Sequence, residues 1–236
     1  MFLQQLVNGL TLGSLYAVLA IGLTLVFGVL NIINMAHGGI FMIGAFVGLF
    51  MVTIFNVNIF VALIVAMAVG AILGYLLEFV ALRPLRKKKV SHLAMLILNI
   101  VIKKTKIGKA IRAVSMSTET AALLGINPTM IISVTVMIAS ALGAAAGVLV
   151  GLSFNAIEPT MGVIIGFKGL AVLILGGLGN ITGAMVGGFI LGVAEVFSVA
   201  YGASTFRDAV AFGLIILLLF WRPQGLFGSK DKGGRP

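Results

Sequence analysis

Six carboxylates and two histidines supply nearly all the acid–base chemistry of this chain, and several of them stand inside apolar runs. Lys168 lies in GVIIGFKGLAVLILGG, Glu195 in GVAEVFSV, and Arg207 and Asp208 sit side by side ahead of AVAFGLIILLLF. An ionised group surrounded by lipid is costly, so charges at membrane depth face the protein interior or a wet path and are often functional. Glu195 is therefore expected to face inward. Lys168 has two readings, an interior charge or one that snorkels to an interface. Arg207 and Asp208 stand where a run begins and water would also solvate them. Glu78, near the end of another run, is expected to be structural. NIINMAHGG spaces Asn31, Asn34 and His37 at i, i+3 and i+6. They share a broad face if helical, or form a short turn whose polar groups meet water.

Most familiar reaction centres are absent from the sequence. There is no G-x-x-x-x-G-K-[ST] phosphate loop. GVIIGFKG comes near it, but Gly169 follows Lys168 where Ser or Thr is required. No H-E-x-x-H and no G-x-S-x-G elbow occur. The chain has no cysteine, hence no disulfide and no thiolate metal site. Nothing supports an enzyme active site or a directly bound cofactor or metal. Uphill movement of a solute would draw its energy from ion coupling or from a partner subunit.

The elements that position these residues are helices in a bilayer. The chain is 61% hydrophobic and 9% charged, against about 25% charged in a soluble domain. The net charge of +10 is read as basic cytoplasmic loops, not as a nucleic-acid surface. A spanning helix needs ~20 apolar residues. Seven full spans are predicted, at 2–30, 38–56, 57–82, 130–154, 161–179, 181–200 and 205–221. Pro84, Pro128, Pro159 and Pro223 all fall near span ends. No strand-type alternation is present, so the fold class is an all-α polytopic bundle in one domain, 1–236.

One short apolar segment, Val90 to Ile102, lies between basic runs. At ~1.5 Å per residue it reaches about 20 Å, short of a ~30 Å hydrocarbon core. Both basic flanks belong in the cytoplasm. The segment therefore begins and ends inside, as an interfacial helix or the remnant of a hairpin. Three spans before it place the N-terminus outside; four after it return the basic tail, 222–236, to the cytoplasm.

Thirty-one glycines mark helix contacts. Gly143/Gly147/Gly151, Gly70/Gly74, Gly44/Gly48 and Gly188/Gly192 repeat the small-xxx-small spacing that lets helices approach closely in lipid. GGLGNITGAMVGG (176–188) and NIINMAHGG (31–39) read as helix breaks, which in membrane proteins line cavities. Between spans, 103–129 is a sizeable polar segment. It reads as a short amphipathic helix ending at Gly125, suited to docking a cytoplasmic partner.

With these residues in view, NGLTLGSLYAVLAIGLTLVFGVLNIINMAHGGIFMIGAF resembles the N-terminal half of branched-chain amino acid ABC importer permeases. FKGLAVLILGGLGNITGAMVGGFILGVAEVF and FRDAVAFGLIILLLFWRPQGLFG resemble the C-terminal half. GKAIRAVSMSTETAALLGIN is similar to the segment through which such permeases contact their ATPases, in an E-x-A-x-x-x-G register. The resemblance assigns Arg112, Glu119, Ala121, Ala122 and Gly125 to that contact. Asn34, Ala36, His37 and Gly38 match an N-x-A-H-G motif. Lys168, Gly176, Gly177, Gly179, Glu195 and Asp208 match positions the family usually fills this way. With Asn31, these residues are expected near the translocation path.

The resemblance implies a prokaryotic inner-membrane subunit working by alternating access. Its partners would be two cytoplasmic ATP-binding subunits that hydrolyse ATP, a second permease and an external substrate-binding protein. Leucine, isoleucine and valine are the expected substrates; urea and short-chain amide permeases look much alike in these blocks. Two departures stand out. Gly39 replaces the acid that often follows AHG, and the chain is shorter than the family, with the apparent deletion near 93–100. SHLAML looks like the start of one span and LNIVIKKTKIGK like the end of the next. Two other readings stay open: a stand-alone secondary transporter or channel using Glu195 for ion coupling, and a defective permease remnant.

Overall fold

A computed structural model describes residues 2–30, 33–82, 114, 118–123, 125–154, 157–202 and 207–228. Among them are eight α-helices and no strand: α1 (Phe2–Leu30), α2 (His37–Thr53), α3 (Ile59–Leu77, continued by a π turn, Glu78–Leu82), α4 (Thr118–Leu123), α5 (Pro128–Phe154), α6 (Met161–Gly176), α7 (Ile181–Tyr201) and α8 (Arg207–Trp221). The short apolar segment 90–102, the basic residues around it and the tail from 229 lie outside the described residues.

Local chemistry sets several helix starts. The Asn58 side chain accepts from the Phe60 N–H at 3.0 Å and the Asn180 side chain from the Gly183 N–H at 3.0 Å. Asn127 accepts from the Met130 N–H at 3.2 Å, with Pro128 in the first helical position of α5, where its missing N–H costs nothing. Gly177 ends α6 at φ 103°, a conformation glycine reaches without strain.

The sequence predicts seven full spans, and the structure shortens two of them: α2 ends at Thr53 and α6 at Gly176. Four helical segments are long and apolar enough to cross a bilayer: Phe2–Leu30, Ile59–Leu82, Pro128–Phe154 and Ile181–Tyr201. α2, α6 and α8 have 17, 16 and 15 residues, reaching roughly 23–26 Å at ~1.5 Å per residue. A loop holding Asn56 at φ 50° follows α2, Gly177 stops α6 and Pro223 follows α8. The helix breaks are also narrower than the predicted 31–39 and 176–188. Residues 33–36 and 177–180 are non-helical, whereas His37, Gly38 and Gly39, and all of 181–188, are helical. The Asn180 cap restarts the helix at once, so Gly183, Gly187 and Gly188 serve as packing residues.

α1 and α5 form the centre. α1 packs most extensively on α7, and also touches α5 and α6; α5 receives α2 and α3. The small-residue faces make these contacts. A Cβ on Gly13 would come within 2.7 Å of Phe189 Cα, one on Gly188 within 2.7 Å of the Ala17 nitrogen, and one on Gly70 within 2.6 Å of Ala144 Cβ. Gly143 abuts His37, and Gly147 abuts the Phe41 carbonyl. The outer faces are apolar and uncovered, as at Ile64, Val80, Ile216 and Phe220, which suits lipid contact.

Candidate functional site

Glu195 is the hub of a buried charge cluster. It lies on α7 two turns before the helix ends and is fully buried. Its Oε2 accepts from the Tyr16 hydroxyl of α1 at 2.8 Å. Its Oε1 accepts from Lys168 Nζ of α6 at 2.8 Å and pairs with Arg207 Nε of α8. Lys168 Nζ also lies 2.8 Å from Asp208 Oδ1. The Lys168 ammonium stands 5.9 Å from the centre of the Tyr16 ring, and the Arg207 guanidinium 5.4 Å from that of Phe154, at the end of α5.

The formal charges of this cluster cancel: Lys168 and Arg207 against Glu195 and Asp208. That balance explains how two ionised groups survive burial, since a buried charge without a partner is strongly destabilising. Lys168 does not snorkel; its side chain is 5% exposed. Arg207 and Asp208 are not merely solvated, although the Asp208 side chain is 56% exposed. The cluster joins four helices and borders a cavity of about 460 Å³. Gln5, Asn8 and Thr11 of α1, Ser153 of α5, Glu195 and Arg207 form its polar lining.

The motif residues around His37 lie apart from this cluster. His37 is fully buried in the first turn of α2. Its ring fits between Gly22 of α1 and Gly143 of α5: a Cβ on either would come within 2.7–2.9 Å of the ring. Neither ring nitrogen makes a hydrogen bond of normal geometry, and Leu19 supplies the neighbouring backbone group. Asn34 accepts from the Ala36 N–H at 3.1 Å through Oδ1, while Nδ2 has no partner. Gly38 lies against Gly162 and Gly166 of α6. Asn31 lies outside the described residues.

Gly176, Gly177 and Gly179 lie at and just beyond the C-terminal end of α6, two turns or more past Lys168 at mid-helix. A strap after α8 crosses them: Leu226 N–H donates to the Leu175 carbonyl at 2.8 Å and Phe227 N–H to that of Gly176 at 3.0 Å. Asn180 Nδ2 donates to the Phe227 carbonyl at 2.8 Å. These glycines admit the strap and the tight α6–α7 turn.

The segment read as a docking element forms α4 and its turn. Ala121 is fully buried in an apolar cluster with Leu25, Val26 and Leu30 of α1, Ile132 and Val136 of α5, and Ile181 of α7. Ala122 is exposed, and Leu123 is 88% exposed. Gly125 turns the chain at φ 78°, its N–H donating to the Ala122 carbonyl at 3.0 Å. Glu119 is within α4, and Arg112 lies outside the described residues. The described part of this helix is Thr118–Leu123. Glu78 is buried and accepts from the Ser133 hydroxyl at 2.8 Å, which ties the π turn to α5.

Tyr16 was not singled out in the sequence. Its signal was a lone phenol in the middle of a long apolar helix, where the hydroxyl needs a partner. Among the described residues no group of three or more His, Cys, Asp or Glu could hold a metal ion.

The comparisons with known proteins agree with this architecture. The profile of the family described as "Branched-chain amino acid transport system / permease component" matches residues 5–93 and 90–219. The high-affinity branched-chain amino acid transport system permease protein LivH of Salmonella typhimurium is 35% identical, covering 98% of this chain and 96% of its own. LivH of Escherichia coli K12 gives the same figures. The corresponding BraD of Pseudomonas aeruginosa is 34% identical over 98% of this chain and 97% of its own. No solved structure matches. The LivH alignment has 297 positions against 236 residues here, so at least 61 of them have no counterpart in this chain. The two profile matches meet at 90–93, in the short apolar segment where the sequence pointed to a missing hairpin. The chain belongs to the branched-chain amino acid transport permease family, as a helical membrane transport subunit.

Proposed function

We propose that this chain is the membrane-spanning subunit of an ATP-driven importer of leucine, isoleucine and valine. Two cytoplasmic ATP-binding subunits would hydrolyse ATP, a second permease would complete the path, and an external binding protein would deliver the amino acid. The N-terminus and the cavity end face outside; α4, the strap and the C-terminus face the cytoplasm. The printed names of the relatives support the substrate class.

The observation that carries the coupling is the two-sided burial of α4. Ala121 anchors it among the ends of α1, α5 and α7, while Ala122 and Leu123 are left outward. A partner that pushes on the outward face moves the helices that carry Tyr16 and Glu195. The bundle is solid around His37 and open at the Glu195 end, the arrangement of a path closed to the cytoplasm and open outside. Alternating access then consists of parting the α1–α2–α5 contacts around His37 while the outer cavity closes over the ion cluster. Asn31, Asn34 and Gly38 would border the inner half of that path, and Gly176, Gly177 and Gly179 would fix its cytoplasmic rim.

The test is co-purification. Leu123→Asp replaces an exposed side chain and leaves the Ala121 anchor intact. The variant is expected to insert normally and lose its ATP-binding partners; Glu119→Lys is expected to act likewise. Undiminished co-purification of both variants would defeat the docking role of α4.

A further inference from the structure

We infer that the cavity between α1, α7 and α8 is a binding site for a free zwitterionic α-amino acid with an aliphatic side chain, captured by exchange of ion-pair partners. The inference rests on the importer reading and deepens it, because it gives the permease its own recognition chemistry. The cavity, about 460 Å³, lies within the ~300–1,000 Å³ typical of small-molecule sites. Its lining has two characters. Leu12 and Leu15 of α1 face Val196 and Val199 of α7 as an apolar wall, and Glu195 and Arg207 supply one charge of each sign.

Charge balance selects the ligand. The resident cluster is neutral as a set and Lys168 and Glu195 are buried, so a bound anion or cation would leave one charge of the set without a partner. A zwitterion adds none. The exchange conserves every pair: the ligand ammonium takes the Glu195 carboxylate, and the ligand carboxylate takes Arg207. Lys168 keeps Asp208, already 2.8 Å away. Arg207 is equipped for this. Among the described residues its side chain makes one hydrogen bond, through Nε to Glu195, which leaves both terminal amino groups to fork a carboxylate. The same swap would release α8 from α7, coupling ligand arrival to loosening of the outer end.

The experiment is equilibrium binding of radiolabelled L-leucine to the full chain in lipid nanodiscs, without binding protein or nucleotide. Saturable binding is expected, displaced by L-valine. Leucinol, which lacks the carboxylate, and 4-methylpentanoate, which lacks the ammonium, are expected to compete at least about tenfold more weakly, as the loss of one charge-assisted pair predicts. Arg207→Gln should weaken leucine by a similar factor, with Arg207→Lys recovering part of it. Val199→Trp, at a cavity-lining position 40% exposed, should abolish binding by filling the apolar half while leaving the ion cluster intact. Each variant is compared with the parent as a monodisperse sample. Absence of leucine binding to the parent overturns the inference, as does competition by leucinol and 4-methylpentanoate as strong as that by unlabelled L-leucine, or unchanged binding in both Arg207→Gln and Val199→Trp. The importer reading is judged separately, by co-purification of ATP-binding subunits with the parent chain. Co-purification without leucine binding sinks this inference alone.

Discussion

At the scale of single residues, Glu195 holds the cavity end of the bundle together through Tyr16, Lys168 and Arg207. Lys168 is its most deeply buried cationic partner. Lys168→Ala leaves the buried carboxylate with Arg207 and Tyr16 alone and is expected to cost up to about 3 kcal/mol, the low end of the penalty for removing one partner of a buried pair. Replacing both Lys168 and Glu195 by leucine should cost less than Lys168→Ala alone. Thermal unfolding followed by size-exclusion of a fluorescently tagged chain measures the two; a double variant less stable than Lys168→Ala would contradict the pairing. Lys168 and Glu195 were legible as charges within apolar sequence, Lys168 with snorkelling as its other reading, and Asp208 was singled out only by the family resemblance. Their meeting was not, because it depends on how three helices pack across sequence gaps that no spacing rule bridges. Arg207 was ambiguous for a related reason: at a helix start, water and an ion-pair partner leave the same trace in sequence.

At the scale of elements, glycine decides how closely the helices approach. Gly192 lies against Gly13 and the Gly9 carbonyl. Gly192→Leu is expected to force α1 and α7 apart and leave little monodisperse protein, since lipid offers apolar side chains no reason to stay together once close packing is lost. Gly39→Ala meets nothing within 4 Å and should be silent. Parallel purification of the two variants tests this; equal yields would show that the small-residue face does not set the interface. The helices themselves were plainly readable, because uninterrupted apolar runs admit few alternatives in a bilayer. Their ends were less so. Glycine-rich stretches read as long breaks proved to be short turns with helix on either side, because close packing along α7 stabilises the helical glycines that propensity alone would unwind. The shortened α2 and α6 follow from turn geometry at Asn56 and Gly177, which does not declare itself in sequence, whereas α8 ends at Trp221 as read, two residues before Pro223.

At the scale of the whole molecule, the proposed orientation would open the cavity to the outside and place α4 in the cytoplasm. The chain contains no cysteine, so single reporters are clean. Gln5→Cys is expected to react with a membrane-impermeant maleimide in intact cells, and Ala122→Cys only after permeabilisation; the opposite pattern would invert the topology. The LivH alignment has at least 61 positions without a counterpart, 297 less 236, and the two profile matches meet at 90–93, where two basic runs flank a segment too short to span. Charge and length left that segment as an interfacial helix or a hairpin remnant, and the family resemblance pointed to the missing hairpin, whose loss preserves the sidedness of everything after it.

The central claim is that this chain moves amino acids by energy supplied through α4. The direct measurement is leucine uptake into proteoliposomes carrying the complex that co-purifies with the tagged chain, with ATP and external binding protein present or withheld. Uptake that requires both, and that collapses in Leu123→Asp, is the predicted result. Uptake by the chain alone, driven by an ion gradient and indifferent to ATP, would contradict the account and assign Glu195 to ion coupling instead.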